Sequence, residues 1–210
     1  MKRTGIIVMD DAWPVTDALC LAFADWFVEQ GPPERVRITY ARMLATPWAF
    51  AEGIGAPNVE LRSLPAGTSD SDARHQLEEV ANSASDDPCP ILILQDKSSL
   101  LRFYEMLAES SFRERLRGAF GLVAADYALG TTMSGTDVLR RVGAGFQRLL
   151  ISAQAEETLP SDWSSVCDER IDKSTVRIAA LARRILEARG SSPMPGTDGR
   201  DKGRDSCQRF

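Results

Sequence analysis

Residues 121–142 read GLVAADYALGTTMSGTDVLRRV, and this stretch holds the change from strand to helix on which the fold depends. An apolar run ends at Asp126, a short loop with two glycines follows, and a short helix is predicted over residues 136–142. Short, uninterrupted apolar runs are typical of parallel strands that are buried on both faces. The stretch therefore predicts a buried strand that ends at Asp126, followed by a loop and a helix.

The same alternation extends in both directions along the chain. Strands are predicted over residues 5–9, 91–94, 121–125, 148–151 and 166–171, and helices over residues 15–30, 98–117, 136–142 and 174–189. Ser174 is the expected N-cap of the last helix. Strands that alternate with helices indicate an α/β fold with a doubly wound parallel sheet.

The predicted domain organisation is one domain over residues 1–190 with an insertion at about 34–88. The insertion contains two short stretches with strand character, so an extra inserted strand or a small subdomain is expected. Trp48, Phe50 and Ile54 lie in it, either as anchors for a partner or packed on the domain. Residues 191–210 are rich in glycine, serine, proline and charge, which is typical of a disordered tail.

Composition excludes several classes of protein. The chain has 210 residues and a net charge of −5, without a long basic stretch, so no nucleic-acid partner is expected. No apolar segment is long enough for a secretory signal or a membrane span, which favours a cytoplasmic protein without a membrane contact. The four cysteines form no CxxC pair, so free thiols are expected instead of a zinc site.

Polar residues collect where the predicted strands end. In an open parallel sheet, ligands bind beyond the carboxyl ends of the strands. The residues predicted at that edge are Asp10, Asp11, Gln95, Asp96, Asp126, Ser152 and Lys173. Crowded carboxylates repel one another, and a hard divalent cation such as Mg²⁺ relieves that repulsion. The pattern therefore favours a magnesium site.

The segment around Asp126 resembles the phosphoacceptor segment of response-regulator receiver domains. The resemblance rests on an apolar strand that delivers Asp126, the Met133-Ser134-Gly135 turn and the Val138-Leu139 pair. Further along, RLLISAQ at 148–154 resembles the strand that carries a Ser or Thr followed by Ala, and Lys173 resembles the lysine that closes the last strand. At the front, GIIVMDDAWPVTDAL at 5–19 resembles the opening strand with its acidic pair.

The resemblance implies a flavodoxin-like, receiver-type fold and a phosphoacceptor in a two-component phosphorelay. It implies that Mg²⁺ is held by Asp10, Asp11, Asp126 and the backbone carbonyl of Ala128. Asp126 would accept the phosphoryl group, Lys173 would pair with one of its oxygens, and Ser152 would donate a hydrogen bond to another. The implied partner is a histidine kinase or a histidine phosphotransfer protein, and a homodimer is a further possibility. The chain would signal by protein contacts and would not be an enzyme.

Several positions depart from the family pattern. Gly130 stands at the usual proline of the loop, which is one residue longer than usual, Ser174 replaces the proline after the lysine, and Arg170 stands near the expected aromatic switch. These departures leave a second interpretation open, a degenerate receiver that acts as an interaction module without phosphorylation. A phosphatase with an aspartate nucleophile is less favoured, because such families have a second aspartate at the position of Ala128.

The insertion leaves two registers for the sheet. In the first, residues 5–11 form the opening strand and its acidic pair, and residues 90–96 form the second strand. In the second, residues 90–96 open the sheet and Gln95 and Asp96 form a defective acidic pair. The first register is preferred, because it keeps the full strand count and both aspartates.

Overall fold

The structure of the protein, a computed structural model, describes residues 5–30, 36–41, 59–64, 70–84, 89–130 and 132–189. The strands are β1 (Gly5–Met9), β2 (Val36–Ala41), β3 (Val59–Leu64), β4 (Ile91–Leu94), β5 (Phe120–Asp126), β6 (Gln147–Ser152) and β7 (Glu169–Asp172). The helices are α1 (Trp13–Gln30), α2 (Asp70–Ser83), α3 (Lys97–Met106), α4 (Ser110–Ala119), α5 (Gly135–Val142), α6 (Trp163–Val166) and α7 (Ile178–Ala188), with a 3₁₀ turn at Glu156–Thr158.

The strands form one seven-stranded sheet in the order β3-β2-β4-β1-β5-β6-β7. Every neighbouring pair is parallel. The prediction of an α/β fold with a parallel sheet is confirmed. Met9, the last residue of β1, pairs with Leu94 of β4 on one side and with Ala125 of β5 on the other. The residues that follow these three strands therefore meet at one edge.

Helices cover both faces of the sheet. Ile7 and Met9 of β1 point into a core formed with α2, α3, α4 and α5. Ile6 and Val8 point to the opposite face, into a core formed with α1 and α7. All four side chains are fully buried, and each contributes about 1.5–3 kcal/mol by leaving water. The continuous apolar run of β1 thus follows from burial on both faces.

The single helix predicted over residues 98–117 is wrong. The structure has two helices there, α3 and α4, separated by residues 107–109. The α3 helix closes at Leu107, whose N–H bonds to the carbonyls of Phe103 and Glu105, and Arg113 donates from its guanidinium to the Leu107 carbonyl. Leu107 and Phe112 are both fully buried, so the turn keeps apolar side chains on the sheet side of both helices.

The predicted start of the last helix is also wrong. The α7 helix begins at Ile178, and Ser174 lies in a turn, where its hydroxyl donates to the Asp172 carboxylate at 2.6 Å. Serine competes for such local turn bonds as readily as for a helix cap. The predicted strand at 166–171 is shorter and later than expected, since Val166 ends α6 and β7 begins at Glu169.

The described part of the predicted insertion extends the sheet. The β2 strand pairs with β4, and β3 pairs with β2 at the edge of the sheet. Trp48, Phe50 and Ile54 and the tail at 191–210 lie outside the described residues. The domain boundaries and the disordered tail stay predictions.

Two findings concern properties predicted from composition. Cys20, Cys89 and Cys167 are buried and form no disulfide bond within the described residues, and Cys207 lies outside those residues. Within the described ranges, no helix combines the length and apolarity that a bilayer crossing requires.

Candidate functional site

Two buried carboxylates lie side by side where β1 and β5 end. Asp10 follows β1 and is fully buried, and Asp126 is the last residue of β5 and is only 6% exposed. The parallel register of the two strands brings them together, because Met9 pairs with Ala125. Each carboxylate also accepts a backbone N–H two residues later: Ala12 donates to Asp10 at 2.9 Å and Ala128 donates to Asp126 at 3.2 Å.

Lys173 contacts both of these carboxylates and comes from the end of β7, the strand at one edge of the sheet. Its Nζ lies 2.5 Å from Oδ2 of Asp10 and 3.2 Å from Oδ1 of Asp126. The lysine directly follows β7, and its backbone N–H donates to the carbonyl of Ser152 at the end of β6, at 2.8 Å. One ammonium group is therefore shared by two buried carboxylates.

Asp11 completes an acidic cluster. Carboxylate oxygens of Asp10, Asp11 and Asp126 all lie within 4.8 Å of one another. Asp11 is half-buried, whereas its two neighbours are buried, so the cluster opens to solvent on the Asp11 side. We call Asp10, Asp11 and Asp126 the acidic cluster.

The acidic cluster carries more negative charge than its surroundings balance. Burial and the nearby charge of Asp10 together raise the pKa of Asp126 to about 6, against the opposing effect of Lys173. Burial also raises the pKa of Asp10, with Lys173 again opposing. For Lys173, burial disfavours the charged form, but Asp10 and Asp126 outweigh it and raise its pKa. The site is thus short of positive charge.

Ser152 and Ala128 were also predicted as site residues. Ser152 is the last residue of β6, and Ala128 lies two residues after the end of β5. Ser152 is 1% exposed at the end of β6, next to Asp172 in the register, and its hydroxyl accepts the N–H of Gln154 at 3.0 Å. Ala128 lies in the loop after β5 and forms an isolated bridge with Ser134.

The structure selects the first of the two registers. Asp10 and Asp11 lie beside Asp126, and β4 with Gln95 and Asp96 lies on the other side of β1. Gln95 is buried, and its side-chain N–H donates to the backbone carbonyl of Asp11 at 3.1 Å. Asp96 caps α3 by accepting the N–H of Ser99 at 2.9 Å. Gln95 thus holds the backbone of Asp11, Asp96 holds the start of α3, and neither belongs to the acidic cluster.

Gly135 allows the start of α5 to approach the backbone of Asp126. A Cβ at this position would lie 2.3 Å from the Asp126 carbonyl oxygen. The Gly135 N–H donates to the Tyr127 carbonyl at 3.0 Å. Ser134 and Asp137 form a capping box that fixes the helix start. The position of Asp126 therefore depends on a glycine at the start of α5.

Gly135→Ala should lower the free energy of unfolding by about 1–3 kcal/mol, because the added methyl group overlaps backbone atoms that cannot rotate away. Gly118→Ala is the matched control. A Cβ there would meet nothing within 4 Å, and the residue lies in the last turn of α4. The control should gain about 0.5–1 kcal/mol from helix propensity. Urea unfolding of both variants checks the prediction, and equal stability of the two would contradict it.

Two residues near the acidic cluster were not predicted as site residues from the sequence. Lys97 begins α3, directly after the strand-end pair Gln95 and Asp96, and its side chain lies next to Gly130. Its position after a predicted strand end was a usable signal. Gly130 was noted only as a departure from a loop pattern, whereas its backbone has φ of 58°, a conformation that favours glycine.

Comparisons with known proteins identify no family for this chain. No family model matches the sequence, and no curated protein matches it.

Solved structures match over most of the chain at low similarity. A de novo designed protein with the P-loop NTPase fold has a TM-score of 0.47 and 14% identity, covering 91% of this chain and 95% of its own. The signal recognition particle 54 kDa protein from Aeropyrum pernix K1 in complex with GDP has a TM-score of 0.41 and 15% identity, covering 90% of this chain. This chain spans 50% of that protein. The MinD cell division protein from Aquifex aeolicus has a TM-score of 0.39 and 14% identity, covering 90% of this chain and 98% of its own.

These structures correct the function predicted from the sequence. They are a P-loop NTPase fold, a GDP complex and a cell division protein, and not receiver domains. The phosphorelay receiver, its degenerate alternative and the expectation that the chain is not an enzyme are therefore not carried further. At this level of similarity, the likenesses do not transfer a nucleotide activity either. The function has to be inferred from the chemistry of the acidic cluster itself.

Proposed function

We propose that this protein carries a Mg²⁺-dependent phosphoryl-transfer site at the carboxyl edge of its sheet. The observation that carries the proposal is the sharing of Lys173 between two buried carboxylates, Asp10 and Asp126, with Asp11 at the solvent side. Hard carboxylate oxygens bind Mg²⁺, and Mg²⁺ commonly binds through one or two protein carboxylates together with phosphate oxygens. An ammonium group in the same site can bind a phosphoryl oxygen.

The residues present fit a divalent cation. Three carboxylates and one ammonium group leave two net negative charges, which one Mg²⁺ neutralises. Bound Mg²⁺ would offset the charge on the oxygens of a transferring phosphoryl group. Asp10, Asp11 and Asp126 would hold it, with the carbonyl of Ala128 as the further ligand predicted from the sequence. The raised pKa values of Asp10 and Asp126 support this fit, because they report a deficit of positive charge.

The neighbouring polar groups suit a phosphoryl group. Lys173 enters from the β7 side and keeps donors that a phosphoryl oxygen can use, since an ammonium group has three. The Ser152 hydroxyl accepts one backbone bond, so its own proton remains available to donate. The assignment of Asp126 as the phosphoryl acceptor stays a prediction, as do the kinase or phosphotransfer partner, the homodimer and the cytoplasmic location.

We also propose that the sheet is of the flavodoxin-like type. Without β2 and β3, the strand order is β4-β1-β5-β6-β7, which corresponds to the flavodoxin-like order 2-1-3-4-5. In that order, ligands bind where the strand order reverses, beside the first strand and its new neighbour. Asp10 of β1 and Asp126 of β5 lie at this switch point. The topology thus supports the same edge as the chemistry.

The sequence around the site does not support a P-loop. A P-loop needs two glycines five residues apart, followed by lysine and a hydroxyl residue. Gly130 and Gly135 have this spacing, but Thr136 and Asp137 follow them. The lysine that would reach the β- and γ-phosphates is absent at that position, so we propose a phosphoryl group and not a nucleotide as the ligand.

Asp11→Asn should weaken Mg²⁺ binding at least tenfold, because it removes one charged ligand oxygen from the open side of the cluster. Asp25→Asn is the matched control: Asp25 lies exposed on α1, and the substitution removes the same charge outside the cluster. Calorimetric titration with Mg²⁺ measures both affinities. A wild-type protein that binds no Mg²⁺, or an Asp11→Asn affinity equal to that of the control, would contradict the proposed function.

A further inference from the structure

A second lysine lies at the open side of the acidic cluster. A Cβ built on Gly130 would lie 2.0 Å from Oδ2 of Asp11 and 3.3 Å from Cε of Lys97. The two side chains therefore flank the same small space beside the Gly130 α-carbon. Lys97 comes from the β4 side of the site, opposite the side from which Lys173 enters.

The ammonium group of Lys97 has no partner of opposite charge within the described part of the chain. The side chain is exposed, and its ammonium group forms no ion pair or hydrogen bond with the described residues. In contrast, Lys173 already contacts two carboxylates. Lys97 is thus a free cation beside the acidic cluster, and it can turn towards an anion without breaking a contact with the described residues.

The charge balance of the loaded site calls for such a cation. With one Mg²⁺ bound, the acidic cluster and Lys173 are neutral. A phosphoryl group then brings up to two further negative charges, which these residues do not balance. Lys97 lies across the space beside Gly130 from Asp11, the half-buried carboxylate on the solvent side of the cluster.

We propose that Lys97 is a phosphoryl-binding residue, which contacts the anionic ligand from the β4 side while Lys173 contacts it from the β7 side. The inference rests on the proposed function and adds a ligand contact to it. Gly130 would serve the same contact, because any side chain at this position would fill the space between Asp11 and Lys97. The φ of 58° at Gly130 also lies in the left-handed region, which favours glycine over residues that have a side chain.

The test compares two affinities in each variant. Beryllofluoride, a mimic of the phosphoryl group, is titrated in saturating Mg²⁺ and followed by fluorine NMR, and Mg²⁺ alone is titrated by calorimetry. Lys97→Met should weaken beryllofluoride binding about tenfold, because a charge-assisted hydrogen bond is lost. Mg²⁺ binding should stay unchanged or become slightly tighter, since a neighbouring positive charge is removed. Lys97→Arg should retain most of the beryllofluoride affinity.

Arg183→Met is the matched control, because Arg183 is 72% exposed on α7 and its removal changes the net charge equally. It should leave both affinities unchanged. Beryllofluoride affinity that is unaltered in Lys97→Met would overturn the inference, as would an equal loss of Mg²⁺ and beryllofluoride binding, which indicates a structural disturbance. A wild-type protein that binds neither ligand would refute the proposed function itself, whereas normal wild-type binding with an inert Lys97 would refute only this inference.

Discussion

Lys173→Met should lower the free energy of unfolding of the metal-free protein by about 3–5 kcal/mol at neutral pH, because it leaves buried carboxylates without their cation. Asp10 is fully buried and Asp126 nearly so, and among the described residues Lys173 is the cation within ion-pair distance of both. Methionine keeps most of the length of the lysine side chain, so lost packing adds little to the effect. The loss should therefore report the unbalanced charge.

Urea unfolding in the presence of a chelator measures this loss. Arg183→Met is the control, since its pair with Glu187 is exposed and contributes about 0.3–0.5 kcal/mol. Mg²⁺ should restore much of the stability of Lys173→Met, because a divalent cation supplies the missing positive charge. A loss no larger than that of the control would contradict the account of the buried charges.

Asp126→Asn should have the opposite effect and stabilise the metal-free protein by about 1–3 kcal/mol at neutral pH, since a pKa shift of one unit corresponds to about 1.4 kcal/mol. Burial and the charge of Asp10 raise the pKa of Asp126 to about 6, from an ordinary value of 3.8. The ionised carboxylate is thus less favourable in the folded protein than in the unfolded chain. Asparagine has the same shape without the charge.

The same shift fixes the direction of a pH dependence. Because the folded protein binds the Asp126 proton more tightly, the contribution of this group to stability is complete below about pH 4 and is lost as the pH rises through about 6. Asp126→Asn should flatten the fall in stability over this interval. Chemical unfolding in chelator at a series of pH values checks it. A variant that is less stable than wild type at neutral pH would contradict the prediction.

Selection for function explains why an aspartate would stay at a position where it destabilises the fold. The stabilised Asp126→Asn variant should lose the increase in melting temperature that Mg²⁺ gives the wild type. Opposite changes in stability and metal response would separate a ligand-binding carboxylate from one that serves packing.

The sequence allowed the acidic cluster to be predicted because two simple rules combine there. Apolar runs that end in aspartate identify buried strands and their carboxyl ends, and parallel strands place those ends at one edge. These rules place Asp10, Asp11 and Asp126 at that edge, but they place Gln95 and Asp96 there as well. The structure shows that Asp10 and Asp11 are the pair beside Asp126. The contact of Lys173 with both carboxylates did not follow from them, since β7 is short and only Ile171 in it is fully buried.

Other features depend on tertiary contacts that periodicity does not encode. The break between α3 and α4 has no proline or glycine, and the apolar spacing continues through it, so one helix was expected. The placement of β2 and β3 beside β4 depends on which sheet edge is open, which strand patterns do not specify. The role of Gly130 depends on the distance between Asp11 and Lys97, which come from different strand ends.

The prediction of function went further than the residues allowed. The spacing of Asp126, Ser152 and Lys173 resembles one family, but a lysine, a hydroxyl and an acidic cluster at a sheet edge can serve any Mg²⁺-dependent phosphoryl chemistry. The geometry of the acidic cluster and Lys173 supports that broader class.

Fluorine NMR of beryllofluoride binding, with and without Mg²⁺, tests the central claim most directly. Wild-type protein should show a bound fluorine signal that requires Mg²⁺, and Asp126→Asn, although folded and more stable, should not show it. A bound signal that persists without Mg²⁺ or in Asp126→Asn, or a folded wild-type protein with no bound signal, would contradict a Mg²⁺-dependent phosphoryl site at this edge of the sheet.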